Sequence, residues 1–174
     1  MRALIWIVED TWEATVAEAA AFLPADAEIT LLHVAPGDVE TLAQGTRHGL
    51  LGRPRRHPGP PEPHEPLRAI SDEAAQALLA EAGERFGREA ATKRRRGRVE
   101  REVVAAAEGM DVLVLARDGD HSRLGPHSLG PAARFVVDHA PCRVLLVWAD
   151  APPDVDTIPP PPKHPPEHPP PDHG

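Results

Sequence analysis

An unbroken apolar run, Ala3-Leu4-Ile5-Trp6-Ile7-Val8, follows Arg2. A strand buried on both faces of a parallel sheet reads this way, because neither side of its pleat meets water. Thr11 is placed to cap a helix, and Trp12, Val16, Ala20 and Leu23 recur at helical spacing until Pro24 closes the segment. Ile29-Thr30-Leu31-Leu32-His33-Val34 predicts a second strand, ended by Ala35-Pro36-Gly37. Residues 45–68 break the pattern, since Gly52-Arg53-Pro54-Arg55-Arg56-His57-Pro58-Gly59-Pro60-Pro61-Glu62-Pro63 holds neither a helix nor a sheet interior. A proline-rich insertion, either a lid or a mobile loop, is expected there.

Order returns at Ser71, an N-cap type with Asp72 and Glu73 in the first turn. Ala74, Ala75, Leu78, Leu79, Ala82 and Phe86 mark the buried stripe of that helix, and Gly87 ends it. Residues 88–96 form a poor strand by hydrophobicity. The alternation of strands and helices still requires one, and a strand rich in Lys and Arg is tolerable at a sheet edge. Val99, Val103, Val104 and Ala107 predict the next helix, with Gly109 past its end. Val112-Leu113-Val114-Leu115-Ala116 is the cleanest buried strand, followed by a polar loop over 117–129. Pro131 suits a first helical position, and Ala132, Phe135, Val136 and His139 form that helix's stripe. After Pro141, Val144-Leu145-Leu146-Val147-Trp148 is the last strand. The order βα, βα, βα, βα, β makes an α/β domain over 1–149: an open five-stranded parallel sheet with helices on both faces.

Composition narrows the function. Proline is 22 of 174 residues, and half of it lies beyond residue 150, so 150–174 is expected as a Pro/His-rich disordered or polyproline tail. The net charge is −8, which argues against general binding of a phosphate backbone. One cysteine excludes an internal disulfide framework. No apolar run is long enough for a membrane span, and the N-terminal run is too short for a signal sequence, so a cytoplasmic protein without a membrane partner is expected.

Glu28-Ile29-Thr30-Leu31-Leu32-His33-Val34, Val112-Leu113-Val114-Leu115-Ala116, and Leu129-Gly130 followed by Phe135-Val136-Val137-Asp138-His139-Ala140-Pro141-Cys142 resemble a universal stress protein domain. The resemblance covers 1–149 and implies strand order 3-2-1-4-5, the adenine-nucleotide alpha-hydrolase-like arrangement, and a homodimer through the last strand. Some members of that family bind ATP. Those members carry G-x2-G-x9-G-[ST] after strand 4, with glycines that let backbone approach phosphate. Aligned on Gly130, this chain has Arg117 and Asp120 at the first two glycines and Pro131 at the hydroxyl position. The aspartate that the family places after strand 1 becomes Glu9. Carried over position by position, the nucleotide-site candidates are Ile7, Glu9, Val34, Ala116, Arg117 and Gly130. Physical reasoning puts the same crevice between strands 1 and 4, where the helix over 129–140 points its positive end. Asp120 adds repulsion toward phosphate, and Pro131 removes an N–H donor. No cofactor is therefore expected, with ATP as the one candidate.

The remaining chemistry has plainer explanations. His33 reads as a satisfied strand-end histidine, and His139 as a helix C-terminal cation. His121 and His127 share a loop with Ser122 and Ser128, but a Ser–His pair needs a positioned acid and an oxyanion hole, so no catalytic residue is assigned. Arg117, Arg123, Ser122, Ser128 and the two histidines suggest an altered anion site; a rigid polar loop without a ligand is preferred. Cys142 reads as an inert thiol. His164, His168 and His173 specify no metal geometry. Lys93-Arg94-Arg95-Arg96-Gly97-Arg98 reads as a charged sheet edge rather than a nucleic-acid site. The expectation is a non-enzymatic stress-response or regulatory module that works through an unknown protein partner and a homodimer over Val144–Trp148. The alternative is an ATP or AMP sensor with a non-standard phosphate loop.

Overall fold

The computed structural model describes residues 1–37 and 65–160. Its strands are β1 (Arg2–Trp6), β2 (Glu28–Pro36), β3 (Ala91–Gly97), β4 (Val112–Ala116) and β5 (Arg143–Val147), and its helices are α1 (Trp12–Phe22), α2 (Glu65–Phe86), α3 (Val99–Ala106) and α4 (Pro131–His139). The strands form one sheet in the order β3-β2-β1-β4-β5. Every pairing is parallel: Ile5 lies opposite Leu31 on one side and Val114 on the other, and Leu113 lies opposite Val144. The expected fold class and strand order are those observed.

Two apolar layers sandwich the sheet. Ala3, Ile5 and Ile7 of the first strand segment, with Val112 and Val114, pack beneath Val16 and Ala19 of α1 and Leu79, Ala82 and Phe86 of α2. Leu4 and Trp6, with Leu113 and Leu115, pack against Val103 and Ala106 of α3 and Ala133 and Val136 of α4. Alternate residues of one strand thus feed opposite layers, which is why β1 and β4 read as continuous apolar runs. Leu4, Ile5, Leu113, Val114 and Leu115 have no exposed surface.

Several local details differ from the sequence reading. Thr11 stands at the N-cap of α1, yet its side chain makes no capping bond; its carbonyl instead accepts from the Thr15 hydroxyl at 2.8 Å. In α1 the buried alanine is Ala19, whereas Ala20 is exposed. In α4 the inward face is Ala133 and Val136; Phe135 is half-buried and His139 is exposed. Val16 of α1, Leu23 at its end and Val136 of α4 are buried as expected, and in each helix one alanine is displaced by one residue, Ala19 for Ala20 and Ala133 for Ala132. α2 begins at Glu65 rather than Ser71. Pro66 is tolerated in its first turn because the missing N–H would have no helical partner there. The rest of the proline-rich insertion, through residue 64, lies outside the described residues. Gly87 follows α2 at φ +71°, a left-handed conformation that ends the helix.

Residues 151–160, expected as part of the tail, lie among the described residues. Residues Val155–Thr157 form a short 3-10 turn, closed by the Asp154 carboxylate accepting from the Asp156 N–H. The Leu124 N–H donates to the Thr157 hydroxyl at 3.0 Å, so this segment is tied to the loop after β4. Local capping and one tertiary bond order a stretch that composition alone marks as tail. Residues 161–174, with their three histidines, lie outside the described residues.

Candidate functional site

The loop from Arg117 to Gly130 joins β4 to α4 at the carboxyl edge of the sheet, where an open α/β fold receives ligands. It is closed on itself. The Gly119 N–H donates to the Ser128 carbonyl at 3.1 Å and the Asp120 N–H to the His127 carbonyl at 2.8 Å. A Cβ on Gly119 would lie 2.2 Å from the His127 carbonyl oxygen, so this glycine serves the approach of two loop strands to each other. Pro126–Ser128 forms a 3-10 turn, and the buried Ser128 hydroxyl donates to the Gly125 carbonyl at 2.8 Å.

The helix end that should attract an anion already faces one from the chain. The Gly130 N–H, at the N-cap of α4, donates to the Asp118 carboxylate at 2.7 Å. That carboxylate lies so close that a Cβ on Gly130 would meet its atoms at 2.9–3.0 Å. A negative group is favourable at this helix end, and a phosphate placed there would have to displace Asp118 against charge repulsion. Arg134 of α4 donates back to the carbonyls of Pro126 and Leu129.

Arg117 is turned to β5. Its backbone N–H donates to the Val147 carbonyl at 2.8 Å, and its guanidinium donates to the Ser128 hydroxyl and lies 4.5 Å from the Trp148 ring centre. Its Nε is buried with no hydrogen-bond partner among the described residues. Burial lowers its pKa from the usual value, and it remains a cation at neutral pH. His121 packs T-shaped with Trp148, its ring centre 5.7 Å away, donates from Nε2 to the Arg117 carbonyl at 2.9 Å, and holds Nδ1 3.7 Å from Asp150. Asp120 accepts from the Ser122 hydroxyl and N–H, and these bonds hold its carboxyl below the usual carboxylate range. Asp120 also faces Arg123 at 3.5 Å. Most of the polar groups suggested for an altered anion site thus bond within the loop, to Asp120, Ser128 or backbone carbonyls.

The six nucleotide-site candidates lie along the carboxyl edge of the sheet, near or just beyond the ends of β1, β2 and β4 and at the start of α4. Ile7, Val34 and Ala116 are buried in the core layers. Glu9 borders a cavity of about 300 Å³ with Asp10, Glu13 and Asp150, an acidic lining that disfavours phosphate. Gly130 borders a different cavity of about 590 Å³ with His127, Arg134 and Phe135. Arg117 belongs to neither of these cavities. The Trp148 partnership of Arg117 and His121 was not anticipated; the aromatic end of the last strand was its only sequence signal.

This five-stranded arrangement recurs in solved structures. Universal stress protein UspA from Lactobacillus plantarum superposes with a TM-score of 0.54 at 19% identity, covering 84% of this chain and 97% of that one. The fold is that of the universal stress proteins. A universal stress protein in complex with cAMP matches with a TM-score of 0.57 at 13% identity, over 86% of this chain and 98% of that one. A universal stress protein family protein from Arabidopsis thaliana with AMP bound matches with a TM-score of 0.55 at 14% identity, over 87% of this chain and 93% of that one. No family model matches the sequence, and no curated protein matches it.

The other candidates fall into place on the universal stress protein fold. His33 is buried, donates from Nδ1 to the Ile7 carbonyl at 3.1 Å, and holds Nε2 3.8 Å from Glu9, so it clasps the ends of β1 and β2. His139 donates to the Phe135 carbonyl at 2.8 Å and stacks on the Phe135 ring. Cys142 is half-buried, and burial pushes its thiol pKa up. The arginines of β3 are stitched to the flanking helices: Arg95 pairs with Glu102 at 3.1 Å and Arg96 with Asp72 at 2.9 Å. No group of acidic, histidine or cysteine residues suited to a metal occurs among the described residues. No helix among them is long and apolar enough to cross a membrane.

Proposed function

We propose that this chain is a non-enzymatic stress-response module of the universal stress type, cytoplasmic, homodimeric through its last strand, and acting on a protein partner without the usual binding of ATP. The observation that carries the reading is the Asp118–Gly130 contact at the N-terminus of α4. A glycine-rich phosphate loop needs open backbone N–H groups and space beside them. In this chain several loop N–H groups serve the loop's own carbonyls, and a carboxylate holds the helix end. Homodimerisation is supported by β5, whose Val144, Leu145 and Leu146 are only half-buried at a sheet edge.

A second reading, a sensor of adenine mononucleotides, is favoured by the two neighbours described with cAMP and AMP. One phosphate asks less of a loop than three, so AMP and cAMP are the stronger candidates. Calorimetric titration with Mg·ATP, AMP and cyclic AMP separates the readings. No heat from any of them at millimolar concentration is the expected result. Saturable binding below about 100 μM, roughly 5 kcal/mol or more, overturns it. Binding of AMP or cyclic AMP alone supports the mononucleotide sensor; binding of Mg·ATP shows that the loop opens.

A further inference from the structure

We propose that the groove beside β5 is closed by a second copy of this chain, with Phe22 of each copy lying against the Ala149–Pro152 segment of the other. The inference rests on the homodimer through the last strand and adds what seals its flank.

The groove has a volume of about 610 Å³ and lies between α1 and β5, with Ala14, Ala17 and Phe22 on one wall and Leu145, Trp148 and Pro152 on the other. Its two ends differ. All strands are parallel, and α1 returns from the end of β1 toward the start of β2, so α1 runs opposite to β5. Ala14 therefore lies at the end where β5 leaves the sheet; it also borders the acidic cavity with Ala149 and Asp150. Phe22 lies at the end where β5 begins. Eight residues of helix, about 12 Å, separate Phe22 from Ala14. One end of the groove thus offers an aromatic ring that is 68% exposed, and the other a shelf of Ala149, Ala151 and Pro152.

Each end supplies what the other lacks, and a two-fold axis brings them together. Two copies that pair β5 antiparallel set the start of one strand beside the end of the other. The ring of each copy then reaches the shelf of its twin, and the contact occurs twice. Charge agrees with this direction, because exposed Arg143 opens β5 and exposed Asp150 follows its end, so opposite signs approach across the axis. Burying the Phe22 ring removes an apolar surface that a single copy leaves in water.

The test uses two single-cysteine proteins in a Cys142→Ser background, one carrying Phe22→Cys and the other Pro152→Cys. They are mixed at low concentration to exchange copies, reconcentrated and mildly oxidised. Each protein carries one cysteine, so no link can form within a chain, and a link between copies needs Cα atoms within roughly 7 Å. The expected product is a linked pair containing one chain of each kind, in excess of a Glu81→Cys and Pro152→Cys control. Sedimentation of Phe22→Asp in the otherwise native chain is the second readout, with at least tenfold weaker dimerisation expected. A native chain that is monomeric at tens of micromolar overturns the dimer and this inference together. A native dimer that gives no mixed link, links Phe22→Cys to itself, or keeps its affinity with Phe22→Asp overturns this inference alone.

Discussion

Single side chains close this molecule's loop, and their removal has graded consequences. Asp118 accepts from the Gly130 N–H at the start of α4, so Asp118→Ala should lower stability by about 1 kcal/mol, the usual cost of a lost helix cap; a denaturant midpoint measures it. Gly119→Ala should cost more, about 2 kcal/mol or above, because its Cβ would collide with backbone 2.2 Å away. Acid acts through Asp111 and Asp120. The Asp111 carboxylate accepts the Arg2 N–H at 2.6 Å, and that bond first, with the nearby Arg2 charge, lowers its pKa. A carboxyl whose folded pKa lies below its unfolded one stabilises the fold above the unfolded value and loses that contribution as pH falls through the folded one. Stability should therefore decline below the ordinary carboxylate range, and carbon-detected NMR titration should find both aspartates still ionised there. At this scale the sequence was partly legible. His33 could be read as structural because a polar residue inside an apolar run needs a local partner, which Ile7 supplies. Asp118 could not be read as the group facing Gly130, because that pairing depends on how the loop folds back at Gly119.

Elements were legible where periodicity met burial and obscure where alanine blurred it. β4 declared itself because all five residues are buried. Leu113→Ala in that strand should cost roughly 2–5 kcal/mol, read as a fall in the thermal midpoint. β3 was visible only through the alternation of elements, since its own residues are mostly exposed cations. Its pairs with Asp72 and Glu102 are partly exposed, so Arg96→Ala should cost less than about 1 kcal/mol. A small effect of Arg96→Ala shows that β3 is held by its backbone ladder, and a large one that its charges hold it. In α1 and α4 the valines and Leu23 were placed correctly and one alanine in each was misplaced by one position, because alanines at adjacent sites make the stripe ambiguous without a neighbouring layer to choose between them.

At the scale of the whole molecule, an open parallel sheet followed from the succession of elements, its strand order from the resemblance to universal stress proteins, and the candidate crevice from strand order. What the crevice would accept did not follow, because the loop, the 3-10 turn at Val155–Thr157 and Trp148 meet only in three dimensions. The two edges of the sheet are chemically unlike: β3 carries Lys93, Arg94, Arg95 and Arg96, whereas β5 carries Val144, Leu145 and Leu146. A ribbon able to add neighbours at both borders grows without limit, as fibres do. Here one border repels its like, so the proposed pairing at β5 would end edge-on assembly after a single step. Exchanging the four β3 cations for threonine and valine should remove that stop, and light scattering would then register species that lengthen with concentration.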